Sequence, residues 1–397
     1  MSERLRIGFI PLVDAAALIV AVDKGFCAQE DLDVELVREI SWANVRDKFN
    51  IGLFDAAHLL APMAVASSLG IGHIKVPVIS GFGLGVNGNA ITVSPDLHAA
   101  IAANVDGDIA DPVVSARALA RVVAERKQLG LEPLIFGMTF PFSSHNYDLR
   151  FWMGAGGVDP DEDVRLVVLP PPYMVESLAN KHLDGFCVGA PWNSVAIDLG
   201  IGHILHFTCE LFQRAAEKML AVRASWAEGH PDTLLRLIRA HDRAAQFIEY
   251  DANRDEVCAI LTAPGRIEVT PELIRRTLDG RLKVSPEGLY RETGRYLLVG
   301  REAAARPDPV QGAWNYAQMV RWGQAPLSAE LLAAAKAVFR PDLYDAAVGG
   351  TPILPIAPAD GIGECTGTTF DPDDIAGYLS ALEIRRCPLH PPPPGVG

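Results

Sequence analysis

Six positions place polar or aromatic groups where a small anion could be held. Trp42 follows Ser41 in "SWANVRDKF", and Asn89 stands in "NGNAITVS". His145 lies in "FGMTFPFSSHNYDLRFWM", Gly189 and Asn193 in "GAPWN", and Lys218 in "AAEKMLAVR". A carboxamide donates two hydrogen bonds, an imidazole one or two, and an ammonium three together with a formal charge. A plain turn needs the Gly and Pro of "GAPWN" but not an indole beside an amide, so Trp192 and Asn193 read as the wall of a pocket. Each position also has a plainer reading. Trp42 could pack on a surface, Asn89 could be a turn residue after Gly88, His145 a surface or core residue, and Lys218 a solvated one.

These groups need elements to hold them. Short apolar runs at Arg6–Ile10, Val34–Arg38, Ala56–His58, Ala90–Val93, Leu134–Gly137, Val164–Val168 and Gly185–Val188 read as strands. Helical patterns fall between them, at Ala15–Lys24, Trp42–Ile51, Pro112–Leu129 and Asn146–Ala155. That alternation predicts an α/β chain with a mostly parallel sheet. Several candidate residues then fall just after strands, where such sheets bind ligands. Ser41 is suited to cap the helix that Trp42 opens. A helix opening near His145 offers first-turn amides to an anion. Beyond residue 210 the pattern becomes largely helical, as at Pro231–Asp251 and Pro271–Leu282. The end, "CPLHPPPPGVG", can pack as neither helix nor strand.

Composition narrows the function. The 397 residues suggest about two domains. A formal net charge of −14 repels phosphate backbones, so direct nucleic-acid binding is excluded and positive charge must be focused locally for any anion. Six scattered cysteines form no metal-ligand or disulfide framework. Pro11 and Asp14 break the early apolar run, so the start reads as a first strand, not a signal peptide. No apolar run is long enough to span a membrane. "GLGVNG" at 83–88 fits G-x-G-x-x-G, but a strand-like run follows it where a dinucleotide site needs a helix. No cofactor, metal site or nucleophile–base pair is read, and the chain is expected to bind rather than catalyse.

Taken together, "LRIGFIPLVDAAALIVAVDKGF", "LDVEL", "SWANVRDKF", "DAAHLLAPM", "GNAITVS", "FPFSSHNYDLRFWM", "GAPWN" and "EKMLAVRASW" resemble the nitrate- and bicarbonate-binding proteins of ABC transporters. The resemblance covers roughly residues 4–250. It implies the type II periplasmic-binding fold, with two α/β lobes and a ligand cleft between them. By that likeness 1–95 and 201–385 form one lobe, 96–200 the other, and 386–397 a Pro-rich tail. It also implies the ligand set Trp42, Asn89, His145, Gly189, Asn193 and Lys218. Asn89 stands where the family's Gln is expected, and Ala190 where Glu is frequent.

With no secretion signal or Cys-led anchor read at the start, the chain is most similar to the cytoplasmic nitrate/nitrite sensors of the family, NasS. A NasT-type RNA-binding antiterminator is then the implied partner, released when nitrate binds, so that nitrate assimilation genes are transcribed. The alternatives are a solute-binding component of a nitrate or bicarbonate transporter and, on the same fold, an enzyme of thiamine-precursor synthesis. Nitrate ranks first as ligand, nitrite second and bicarbonate third. No well-placed carboxylate is read to accept from a bicarbonate hydroxyl.

Overall fold

The computed structural model describes residues 3–349 and 361–387. A first sheet runs in the order β14-β5-β11-β3-β1-β2, with β4 also paired to β11. Its strands are β1 Glu3–Phe9, β2 Leu32–Arg38, β3 Ala56–Leu60, β4 Val78–Ile79, β5 Gly83–Asn87, β11 Ala216–Arg223 and β14 Leu297–Leu298. A second sheet runs β10-β6-β9-β7-β8, from β6 Asn89–Val93, β7 Ile135–Met138, β8 Arg165–Val168, β9 Gly185–Gly189 and β10 His203–Phe207. Every residue of β3 and β9 is buried, which is why those strands read as unbroken apolar runs rather than alternating ones.

The sheets are mixed, where a mostly parallel sheet is expected from the sequence. β1 pairs parallel to β2 and β3, and β7 parallel to β8 and β9. β6, β10, β11 and β5 add antiparallel pairings. The cause is the double crossing between sheets. The chain enters the second sheet through β6 and returns through β11, and a strand arriving without a helical crossover is free to run against its neighbour. By strand membership the second sheet begins at Asn89 and ends at Phe207, a few residues outside the divisions expected after 95 and before 201.

The first crossing is tight. Asn87 at φ 62° and Gly88 at φ 98° both adopt the left-handed region, which favours the glycine in particular. "GLGVNG" is therefore a strand ending in a turn, with β6 directly after it and no helix. The buried Asn87 carboxamide reaches the returning segment. Its Nδ2 donates to the Gln213 and Arg295 carbonyls, each at 3.1 Å, and its Oδ1 accepts from Ala215 N at 3.0 Å.

Helices cover the sheets. In Pro231–Glu249, Leu234, Leu237, Ile238, Ala245 and Ile248 repeat on one stripe and are buried. The helix expected over Pro271–Leu282 stops at Leu278, and Leu282 lies in β12, Arg281–Lys283, paired to β13, Tyr290–Glu292. Gly280 at φ 66° ends it, and a Cβ there would sit 2.0 Å from the Thr293 carbonyl. Of the expected tail, Arg386 holds Asp159 at 2.7 Å, and 388–397 lie outside the described residues. Among the described residues no helix is long and apolar enough to cross a membrane.

Candidate binding site between the lobes

The centre of the site is Lys218. It lies mid-strand in β11, opposite Leu60 of β3 and Gly85 of β5. Against β5 the register slips on both sides of Lys218. Consecutive strand residues ordinarily face opposite sides, and such an irregularity re-aims one of them. Glu217 and Lys218 therefore meet as an ion pair in the interior. Lys218 Nζ also lies 3.0 Å from Asp14 Oδ2 and 5.2 Å over the Trp42 ring. Burial opposes the ammonium, but the two carboxylates outweigh it and raise its pKa.

Asp14 stands in the short 3-10 turn Val13–Ala15 after β1. Its Oδ1 lies 3.0 Å from His58 Nε2. Burial pushes this acid up, yet Lys218 and the His58 N–H prevail and hold it at about 2. His58, in the middle of β3, accepts from Ile10 N at Nδ1 (3.4 Å). With Nδ1 accepting, the ring is the neutral imidazole with its proton on Nε2. Burial lowers its pKa in agreement. Ser41 caps helix Trp42–Asn50, its Oγ accepting from Asn44 N at 3.2 Å. Trp42, Val45 and Phe49 form that helix's buried face. The indole meets His58 edge-on at 5.2 Å.

The second sheet supplies the opposite wall. Helix Ser144–Ala155 is capped by Ser143 and buried over nearly all of its length. His145 and Asp148, three apart, share one face of it. Thr139 Oγ1 lies 2.9 Å from His145 Nδ1, and His145 Nε2 lies 3.1 Å from Glu217 Oε1 across the lobes. Burial, reinforced by Lys218, drives the His145 pKa well down, so the ring is neutral. Asn89 opens β6 and donates from Nδ2 to Asp148 Oδ2 at 3.2 Å. Thr208 Oγ1 donates to the same oxygen at 3.0 Å. Burial pushes both Asp148 and Glu217 up to about 7, against those donors in the first case and against Lys218 in the second.

Gly189 ends β9 directly opposite Asn89. A Cβ on it would stand 3.2 Å from Asp14 Oδ2 and 3.5 Å from Asn89 Oδ1, so its Cα faces the centre from the second lobe. The Ala190–Pro191 bond is cis. Val13 N donates to the Ala190 carbonyl at 2.9 Å, a backbone bond between the lobes. The structure is thus closed: Trp42, Asn89, His145, Asp148, Glu217 and Lys218 are each at most 1% exposed.

Trp42, Asn89, His145, Gly189 and Lys218 are brought to one centre. Asn193 differs. Its Nδ2 donates to the Val188 carbonyl at 2.7 Å, and its Oδ1 accepts from Thr92 Oγ1 at 2.8 Å. The amide expected to donate to a ligand instead ties the turn to β6 and β9, because its side chain folds back on the strand it follows.

Sequence reading missed Asp14, His58, Thr139, Asp148 and Glu217, and with them the carboxylates it failed to place. An acid in the apolar run "PLVDAAAL" and a His in "DAAHLLAP" were signals of buried polar partners. Glu217 carried none, since strand alternation turns it away from Lys218. Eight polar atoms of the centre are buried without a hydrogen-bond partner; the two Asp14 oxygens, His58 Nε2 and His145 Nε2 lie within ion-pair distance of a partner, and the donor Trp42 Nε1 and the acceptors Asn89 Oδ1, Asp148 Oδ1 and Glu217 Oε2 do not.

Two mixed α/β lobes closed over a buried ammonium, imidazoles and carboxylates define a bilobal binding protein. The chain belongs to the NMT1-like family, whose model matches residues 1–262. It is 31% identical over 391 residues to the nitrate/nitrite binding protein NrtA of Synechococcus elongatus, covering 96% of this chain and 86% of that protein. It is 31% identical over 387 residues to the bicarbonate transport ATP-binding protein CmpC of the same species, covering 96% of this chain and 55% of that protein. The crystal structure of the periplasmic nitrate-binding protein NrtA from Synechocystis PCC 6803 superposes with a TM-score of 0.85 at 28% identity, over 96% of this chain and 98% of that one.

Proposed function

We propose that this chain is the solute-binding component of an ABC-type importer and closes its two lobes on a small trigonal oxyanion, nitrate or bicarbonate. The observation that carries the reading is Lys218, a buried ammonium at the lobe interface beneath Trp42, faced by Asn89, His145 and Gly189 from the other lobe. Relatives named for nitrate and for bicarbonate transport support the ligand class. A cleft that shuts around an anion binds the closed state preferentially, and that difference is what a permease reads.

The carboxylates bear on which anion it is. Nitrate offers acceptors alone. Bicarbonate brings one hydroxyl, which Glu217 Oε2 or Asp148 Oδ1 could accept. Bicarbonate therefore stands beside nitrate rather than third. Isothermal titration with nitrate, nitrite and bicarbonate tests the reading. One anion bound per chain is expected, and no heat from any of them overturns it.

The sensor reading uses the same binding event and changes only what reads closure. In it the chain is cytoplasmic and releases a NasT-type antiterminator, and nitrate and partner affinities are reciprocally coupled. The chain's net charge of −14 favours leaving RNA contacts to such a partner. Capture of a purified antiterminator without nitrate, and its release with nitrate, separates this reading from the importer.

A further inference from the structure

We propose that the site takes up a fully deprotonated anion together with one proton, that Glu217 carries the proton, and that this residue sets the choice between nitrate-like and bicarbonate-like ligands. The inference rests on the oxyanion reading and adds the charge accounting of the site.

One cation, Lys218, is enclosed with three carboxyl groups, Asp14, Glu217 and Asp148, and all are at most 2% exposed. The imidazoles do not make up the difference. His58 is neutral because Nδ1 accepts from Ile10 N. Asp14 and Glu217 both contact Lys218 Nζ. An anion that binds Lys218 competes with one of them. Asp14 keeps a second donor, His58 Nε2, and stays ionised. Glu217 keeps only the neutral His145. Losing the ammonium leaves a buried carboxylate uncompensated, and such a group takes a proton instead.

Of the charged and titratable groups that face Glu217, Lys218 alone favours its ionised form. Lys218 lies on its own strand, Asp14 on the turn after β1, His145 and Asp148 on helix Ser144–Ala155, and Cys187 on β9. Apart from Lys218 these are carboxyl groups, a neutral ring and a thiol, and the carboxylates favour the protonated acid. Glu217 Oε2 has no hydrogen-bond partner and is the oxygen open to the proton. The acid O–H then supplies a donor to nitrate. Bicarbonate brings its own hydroxyl proton and leaves Glu217 ionised as acceptor.

The test is calorimetric titration of nitrate and bicarbonate in buffers of unlike ionisation enthalpy, between about pH 6 and about pH 9. Nitrate binding should take up about one proton at the alkaline end, its affinity falling about tenfold per pH unit there. Bicarbonate binding should take up none. Glu217→Gln should make nitrate affinity independent of pH, abolish the uptake and weaken bicarbonate. Nitrate binding without proton uptake would overturn the proposal, as would uptake abolished by Asp148→Asn but retained in Glu217→Gln. If neither anion binds at any pH, the oxyanion reading itself fails and this inference falls with it.

Discussion

His145 Nε2 and Glu217 Oε1 lie 3.1 Å apart, one on a helix of the second sheet's lobe and the other on the strand that returns to the first. This contact couples the ligand centre to closure, since any opening of the lobes separates the pair. Thr139 fixes the ring from behind. His145→Ala should weaken nitrate binding by about 1.5–3 kcal/mol, the range for a hydrogen bond to a charged group, and leave thermal unfolding of the free chain little changed. Calorimetry beside a melting curve checks both halves.

Removing Lys218 has two effects of different origin. Lys218→Met should cost about 2–5 kcal/mol of anion binding through loss of the charge-assisted contact. It also leaves Asp14 and Glu217 buried without their cation, so the variant should melt lower than the parent, and by more at neutral than at acid pH. An unchanged nitrate affinity would remove Lys218 from the ligand set.

Gly189→Ala tests the space the anion would occupy. The new methyl group stands 3.2 Å from Asp14 Oδ2, a tight contact reached only when the lobes are shut. Binding should fall by more than tenfold while the free chain melts within a few degrees of the parent, because an open form relieves the contact. A large drop in melting temperature would place the cost in the fold instead.

Trp42 and Asn193 should report on stability. Trp42 is a fully buried side chain on the core face of its helix, so Trp42→Ala is expected to cost about 3–5 kcal/mol in denaturant unfolding as well as weakening binding. Asn193→Ala strips the donor from the Val188 carbonyl and the acceptor from the Thr92 hydroxyl, costing about 1–3 kcal/mol of stability while ligand affinity holds.

The buried acids give stability opposite dependences on pH. Asp14 is held at about 2, below its unfolded value of about 3.9, so its contribution is full above that value and is lost as pH falls toward 2. Glu217 and Asp148 stand at about 7, above their unfolded values, so the folded chain binds more protons and stability falls as pH rises from about 4.5 to 7. Urea unfolding across the acid range should show a maximum between the two limbs, and Glu217→Gln should flatten the alkaline one.

Much of the architecture was legible because local rules and tertiary packing agree. The apolar runs at Ala56–His58 and Gly185–Val188 are buried central strands, and Ser41 caps the helix it was expected to cap. Strand direction was not legible, because periodicity carries no sign and the crossings that reverse β6 and β11 are tertiary. Within the site, donors could be read one position at a time. Their acceptors could not, since Asp14, Asp148 and Glu217 come together only when three distant segments fold. Glu217 required a register slip that alternation cannot anticipate.

Asn87 ties the outgoing crossing between the lobes to the returning one through Gln213 and Ala215. Asn87 N donates to the Ala215 carbonyl at 2.8 Å as well, so the two crossings are fastened to each other by both backbone and side chain. A swing of one lobe against the other must therefore carry both crossings together, and a change at Asn87 acts on both at once.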